Sequence, residues 1–311
     1  MPSTITHGYI GLDTVKKTNK KPQDILNKHI NNFKVYCQST DILYFYHILL
    51  LKSNKIQDLG HDFHGKNVFK SFDYLIKLNK QNQSEELFTL ISGLITHYKA
   101  DSIMHPYINY LAQNTNRLHM KDKHFEIETY LDNYFVKKYE KVNPKTHKHH
   151  KLIFNYHKEN IIIDSLNKLF KDVFNKENIG DIYYKALKEM HFVFKYIRND
   201  KTGIKKGIYN LIDYNPFKVR RTKYLSYHFD LNNDNYYLNL EKRQWYNLKD
   251  RSIKSNKSFL ELYDDVIDEA SKIINELYLY IFEDKNVDLY QLIGNNSYSN
   301  GLPIDELDKN N

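Results

Sequence analysis

The stretch EELFTLISGLITHYKADSIMH, residues 85–105, decides the fold class. Its apolar residues Leu87, Phe88, Leu90, Ile91, Leu94, Ile95 and Tyr98 recur at the i, i+3, i+4 spacing of a helix packed on a core. The row Leu87, Leu90, Leu94 runs on through His97 to Asp101, so two polar residues continue a buried stripe. Four residues of separation put them one turn apart on one face. A carboxylate is too costly to bury there unless it is paired or bound to metal. An imidazole and a carboxylate aimed at one point are ligands for zinc or a similar divalent ion. Gly93 weakens the helix by roughly 1 kcal/mol relative to Ala, which is accounted for if something approaches the backbone closely there. Pro106 disfavours helical geometry in the residue before it, so the helix is expected to stop near His105.

The same spacing returns in HFEIE, where His124 and Glu128 are four apart. A lone HxxxD or HxxxE is most often a solvated pair. Two such pairs close in sequence, with His105 between them and one on an apolar stripe, favour metal binding. Upstream, His64 lies in LGHDFHGKN beside His61, Asp41 in STDILYFY and His7 in MPSTITHGYIGL. Taken singly each has a plainer reading. Asp41 serves as a helix N-cap ahead of the apolar run 42–51, His61 and His64 as loop histidines, and His7 as a polar residue at a helix start.

Taken in order, this set resembles the zinc-dependent phospholipase C family, which includes bacterial phosphatidylcholine-specific enzymes and the catalytic domain of alpha-toxin. MPSTITHGYIG, LGHDFHGKN, GLITHYKADSIMHPYI and FEIETYLD are similar in particular to leaderless members from low-GC Gram-positive bacteria. The resemblance covers residues 1 to about 140 and is expected to continue through ALKEMHFVFKY, QWYNL and SFLELYDDVIDEA. It implies an all-α fold, one compact multi-helix domain of the phospholipase C and single-strand nuclease type, holding up to three Zn2+. Carried over by motif, Asp41, His64, His97 and Asp101 hold one zinc. Asp101 bridges to a second that His7 helps to hold, and His105, His124 and Glu128 hold the third. Asp41 is also the implied general base. Such a cluster binds a phosphodiester and supplies a metal-activated water for in-line attack on phosphorus.

The chain departs from the secreted members in three ways. It has no N-terminal tryptophan to chelate zinc through its amine and carbonyl, which leaves that role to Met1, to Pro2 after trimming, or to water. Asp101 and His105 are only four residues apart, so the loop into the third site must differ. His61 competes with His64, and His64 is preferred for the Gly-x-x-x-His pattern from Gly60.

The chain has 311 residues, with sparse Gly (10) and Pro (6) and no low-complexity linker, which favours one domain over several. That domain is expected over residues 1–293, with a poorly ordered tail at 294–311. Helical patterns fall at about 22–36, 40–52, 65–80, 86–105, 121–140, 159–175, 181–200 and 257–284, the last with Ser258 as cap. No apolar run is long enough to span a bilayer, and no apolar h-region marks a secretory signal, so a cytoplasmic location is expected. The single cysteine, Cys37, suits a reducing compartment and is expected to be a buried apolar residue. The net charge of +8 concentrates in KVNPKTHKHHK (141–151) and KVRRTKY (218–224), both read as solvated loops rather than lipid or nucleic-acid contacts. His147, His149 and His150 are read as surface residues. Residues 213–256, with Trp245 and many tyrosines, are either a lid whose aromatics touch substrate or a packed loop.

Three functions compete. The first is a zinc-dependent phosphodiesterase acting on a phosphoester, with phospholipid as the candidate. The second is a single-strand nuclease-like enzyme, which an aromatic stacking platform near the zincs would favour. The third is a non-catalytic protein stabilised by metal.

Overall fold

The computed structural model describes residues 3–50, 54–113, 120–214 and 222–304. Among these, the helices in chain order are α1 (Thr4–Lys17), α2 (Lys20–Lys28), α3 (Ile30–Tyr36), α4 (Lys55–Gly65), α5 (Val68–Asn82), α6 (Glu85–Gln113) and α7 (Met120–Glu140). They continue as α8 (His150–Ile153), α9 (Asn160–Phe174), α10 (Ile179–Phe192), α11 (Ile204–Asp213), α12 (Asp234–Leu238), α13 (Phe259–Phe282) and α14 (Leu289–Ile293). Two short strands, β1 (Trp245–Tyr246) and β2 (Lys254–Ser255), form an antiparallel pair. The fold is all-α, as expected.

Helix α6 is the central rod. It packs against α13, α3, α7 and α1, and Leu87, Phe88, Leu90, Ile91, Leu94, Ile95 and Tyr98 are all buried. Gly93 makes the crossing with α3 possible. A Cβ there would stand 2.5 Å from Tyr36 Cβ and 2.7 Å from the Tyr36 carbonyl carbon, so the expected close approach is the end of α3. Contrary to expectation, α6 does not stop near His105 but runs to Gln113 with Pro106 inside it. A proline inside a helix costs about 3 kcal/mol. Burial of Tyr107, Ile108, Leu111 and Ala112 beyond it offsets that cost. His97, Asp101 and His105 therefore stand on one continuous helix, with no loop between Asp101 and His105.

Helix α13 carries the expected cap as a full capping box, Ser258 with Glu261. Other expectations fail for local reasons. The helix expected at 40–52 is broken into 3-10 turns at Ser39–Phe45 and Ile48–Leu50, with left-handed backbone at Ser39 and His47. Residues 51–53 lie outside the described residues. The segment holding His61 and His64 is not a loop but α4, started by the Asn54 side chain, which accepts the Ile56 and Gln57 amides.

The tail expected from Gly294 is corrected for residues 294–304, which fold back onto α6; residues 305–311 lie outside the described residues. Tyr298 is buried, and Gly301, at φ +70°, lies against the Ser102 carbonyl, where a Cβ would come within 2.4 Å. Pro106 has no N–H to give that same carbonyl. The 213–256 region packs as a loop in its described part. Tyr224, Tyr227, Tyr237 and Trp245 are buried, and Trp245 Nε1 donates to the Lys257 carbonyl.

The reading of His149 and His150 as surface residues is also corrected, whereas His147 is partly exposed. His149 is fully buried, stacked 3.9 Å from the Tyr227 ring with Nε2 on Asn133 Oδ1, and His150 is 8% exposed. Tyr227 supplies the apolar surface that the polar sequence around His149 lacks. Cys37 is buried as expected.

Candidate metal centre

The centre is assembled from five segments, and α7 sets the first of them. Asp132, one turn beyond Glu128 on α7, reaches the start of α1. Its Oδ1 accepts the Ile5 and Thr6 amides and the Ser3 and Thr6 hydroxyls, and Oδ2 accepts the Tyr227 hydroxyl. A carboxylate on the free amides of a helix start satisfies donors that have no partner within the helix. It fixes α1 so that His7 points inward, its ring stacked 4.4 Å from that of His97.

Helix α6 contributes His97, Asp101 and His105 on successive turns. The carboxylate of Asp101 is divided between neighbours: Oδ1 lies 3.3 Å from His7 Nε2 and Oδ2 lies 3.3 Å from His97 Nε2. Asp41, in the 3-10 turn, lies 3.7 Å from His97 Nε2 and 3.6 Å from His64 Nε2. Further along the same face of α6, His124 Nε2 is 2.9 Å and His105 Nε2 3.9 Å from Glu128 Oε1.

The ring nitrogens turned away from the centre are held. His97 Nδ1 donates to the Cys37 carbonyl and His105 Nδ1 to the Tyr298 carbonyl, each at 2.9 Å. His124 Nδ1 meets Asn109 Oδ1, and His64 Nδ1 meets the Tyr44 hydroxyl, each at 3.1 Å. A carbonyl can only accept, so the proton of a neutral His97 is on Nδ1 and the lone pair of Nε2 faces carboxylate oxygens. Two electron-rich atoms facing each other in a buried place need a cation between them. His97 Nε2, Asp41 Oδ2, Glu128 Oε2 and His7 Nδ1 are all buried without a hydrogen-bond partner.

Electrostatics carry the same message. Burial pushes the Asp41 carboxyl up to about 7, against the pull of His97. Burial would also raise Asp101, but His105 and His97 hold it well below the usual carboxylate range. Burial would lower His105, but Asp101 and Glu128 raise it to about 9. Protons on the imidazoles balance the carboxylates here, and a metal ion can take over that role.

Three groups result that could hold a metal ion: His7 with His97 and Asp101; Asp41 with His64 and His97; and His105 with His124 and Glu128. All eight residues expected from sequence are brought together in them. His61 is in none of these groups, although it lines the same pocket and its Nδ1 meets the Tyr44 hydroxyl at 3.1 Å. The pocket has a volume of about 340 Å3 and opens onto Asp41, Tyr44, His64, Asp101, His105 and His124. Trp245 does not line it. Met1 and Pro2, expected near the His7 group, lie outside the described residues.

A family model described as zinc dependent phospholipase C matches residues 5–180, more than half of the chain. The chain belongs to the zinc-dependent phospholipase C family. No characterised protein and no solved structure was found to match it.

Within this member of the family, sequence reading missed the residues that orient the site. Asp132 had a signal, since it extends the His124, Glu128 stripe by one more turn. Tyr44, Asn109 and the Cys37 and Tyr298 carbonyls had none, because their roles depend on tertiary contact alone. Tyr298 also lies beyond the matched region. It closes the site with its carbonyl on His105, and its ring lies 4.5 Å from that of His64. No helix among the described residues is long and apolar enough to cross a membrane.

Proposed function

We propose that the protein is a metal-dependent phosphoester hydrolase that binds up to three Zn2+. Asp41, His64, His97 and Asp101 would hold one ion, Asp101 and His7 a second, and His105, His124 and Glu128 a third. The observation that carries this reading is the buried, unpartnered Nε2 of His97 between the carboxylates of Asp41 and Asp101. Bound zinc would supply Lewis acidity that draws charge from a phosphate and acidifies water.

The chain's own residues would do the rest. Asp41 lines the pocket with Oδ2 unpartnered, so it is placed to accept a proton from an attacking water. The pocket floor is made of imidazoles and carboxylates, and Tyr44 stands at its wall beside His61 and His64. Phospholipid is the favoured substrate class within the family's chemistry. The nuclease reading gains little support, because Tyr298 is buried without an open ring face and Tyr44, the other aromatic at the wall, already packs 4.6 Å from the His61 ring.

The test is elemental analysis of the purified protein, with turnover of p-nitrophenyl-phosphorylcholine and of single-stranded DNA before and after chelation. Two or three zincs per chain and chelator-sensitive release of p-nitrophenol are expected. Bound zinc with DNA cleavage alone would move the assignment to a nuclease. Bound zinc without either activity would leave a structural metal centre.

A further inference from the structure

Helix α11 is turned inside out. Helical spacing puts Lys206, Tyr209 and Asp213 on one side and Ile204, Ile208, Leu211 and Ile212 on the other. The polar side is the one that packs. Asp213 is buried and accepts the Thr222 and Lys223 amides, the Tyr209 hydroxyl donates to the Ile197 carbonyl, and the Lys206 amide is held by Asp200. The apolar side faces outward. Leu211 is 77% exposed, Ile204 65%, Ile208 49% and Ile212 48%, and Tyr214 just beyond is 89% exposed. Tyr196 is exposed as well, and its carbonyl accepts from Lys205 Nζ at 2.7 Å. Contiguous apolar exposure of this kind marks an interaction surface.

The charge around this face has one sign. From 191 to 214 the acids are Asp200 and Asp213, both buried and both committed to backbone amides. The cations are the exposed Lys195 and Lys201, the half-buried Lys205 and Lys206, and the buried Arg198. Lys223, in the turn that packs on α11, adds another. The exposed Asp230, near Lys206, is ion-paired with Lys145. A second copy of the chain would bring the same positive charge to the same face. An anionic lipid surface brings the opposite charge together with an apolar layer for the isoleucines and Leu211.

We propose that the outward face of α11, with its flanking lysines, docks the protein on an anionic lipid bilayer. The inference concerns adsorption to the surface and stands apart from what the metal centre hydrolyses. The two regions are nonetheless tied: the Tyr224 carbonyl, in the turn that packs on α11, accepts the Thr129 hydroxyl of α7, the helix that carries His124 and Glu128.

The test is sedimentation of the full-length zinc-loaded protein with vesicles of phosphatidylcholine alone, or of phosphatidylcholine with an equal part of phosphatidylglycerol. Binding to the anionic vesicles is expected to be at least about 10-fold tighter and to weaken in high salt. The double variant Ile208→Asp with Leu211→Asp is expected to bind at least about 10-fold more weakly, with an unchanged helical spectrum and unchanged turnover of a soluble substrate. Leu211→Ser, at the most exposed aliphatic position, repeats the test if the double variant does not fold. Absence of vesicle binding by the wild type, or equal binding by the variants, would overturn the proposal. So would a wild-type dimer that the variants dissociate without any vesicle binding, which would make the face a self-association surface.

Discussion

Asp101 joins two of the groups, with one carboxylate oxygen toward His7 and the other toward His97. Asp101→Asn would keep the shape and remove the charge, leaving two imidazoles without their anion. We expect at least one zinc per chain to be lost, and turnover to fall at least about 100-fold. Elemental analysis and the p-nitrophenol assay check this, and full zinc with full turnover would remove Asp101 from the centre. His149 makes a separate prediction. Burial holds its imidazole at about 3 in the folded protein against an ordinary value of 6.5. The unfolded chain therefore takes up the extra proton as pH falls through 6.5, and folding stability declines from there toward pH 3. Between pH 7 and pH 5 this residue alone should remove about 2 kcal/mol. His149→Gln should show that much less acid sensitivity in its denaturant midpoint, since any zinc loss in acid is common to both proteins and cancels in the difference. Equal slopes would mean that His149 is protonated when folded. At this scale the sequence showed donors but not their orientation. HxxxD and HxxxE are legible because a helix converts spacing into direction, whereas a carbonyl that receives Nδ1–H looks like any other carbonyl.

At the scale of elements, the site depends on how closely α6 crosses α3. The crossing at Gly93 brings the Cys37 carbonyl to His97 Nδ1 one turn later. Gly93→Ala would favour the isolated helix by roughly 1 kcal/mol. Its Cβ would, however, meet the backbone of Tyr36 and Cys37, which cannot swing aside as a side chain can. We expect a net loss of about 1–3 kcal/mol in stability and roughly 10-fold weaker zinc binding as His97 loses its carbonyl. A denaturant titration and a zinc competition assay check the two separately, and a gain in stability would show that α3 yields. The close approach at Gly93 was legible because a glycine in a strong apolar helix needs a reason. The continuation of α6 past Pro106 was not, because tertiary burial of Tyr107, Ile108 and Leu111 outweighs the local preference. Helix α4 was obscured for a similar reason: its few buried residues, Leu59, Gly60 and Phe63, are too sparse to show a period.

At the scale of the molecule, α1, the 3-10 turn at 39–45, α4, α6, α7 and the 294–304 segment all converge on one buried cluster of charges. The metal-binding groups are thus also the junction of the fold, and removing zinc should loosen the whole chain rather than only silence a pocket. Without a cation, the unpartnered atoms of His7, Asp41, His97 and Glu128 stay buried and unsatisfied, each at a cost of about 1–3 kcal/mol. Protons on the imidazoles recover part of this near neutral pH, and His105 is the residue most ready to hold one. If free zinc stands about 1,000-fold above its dissociation constant, binding to the folded state alone contributes about 4 kcal/mol. For a chain of 311 residues that corresponds to roughly 6 °C in Tm. We therefore expect excess chelator to lower Tm by about 6 °C, and added zinc to restore it. Hydrogen exchange should rise first in α1 and in residues 294–304, which reach the centre from the two ends of the chain. An unchanged Tm with zinc removed would mean that the helices hold the cluster open without help, and that the unpartnered atoms are stabilised by water rather than by metal.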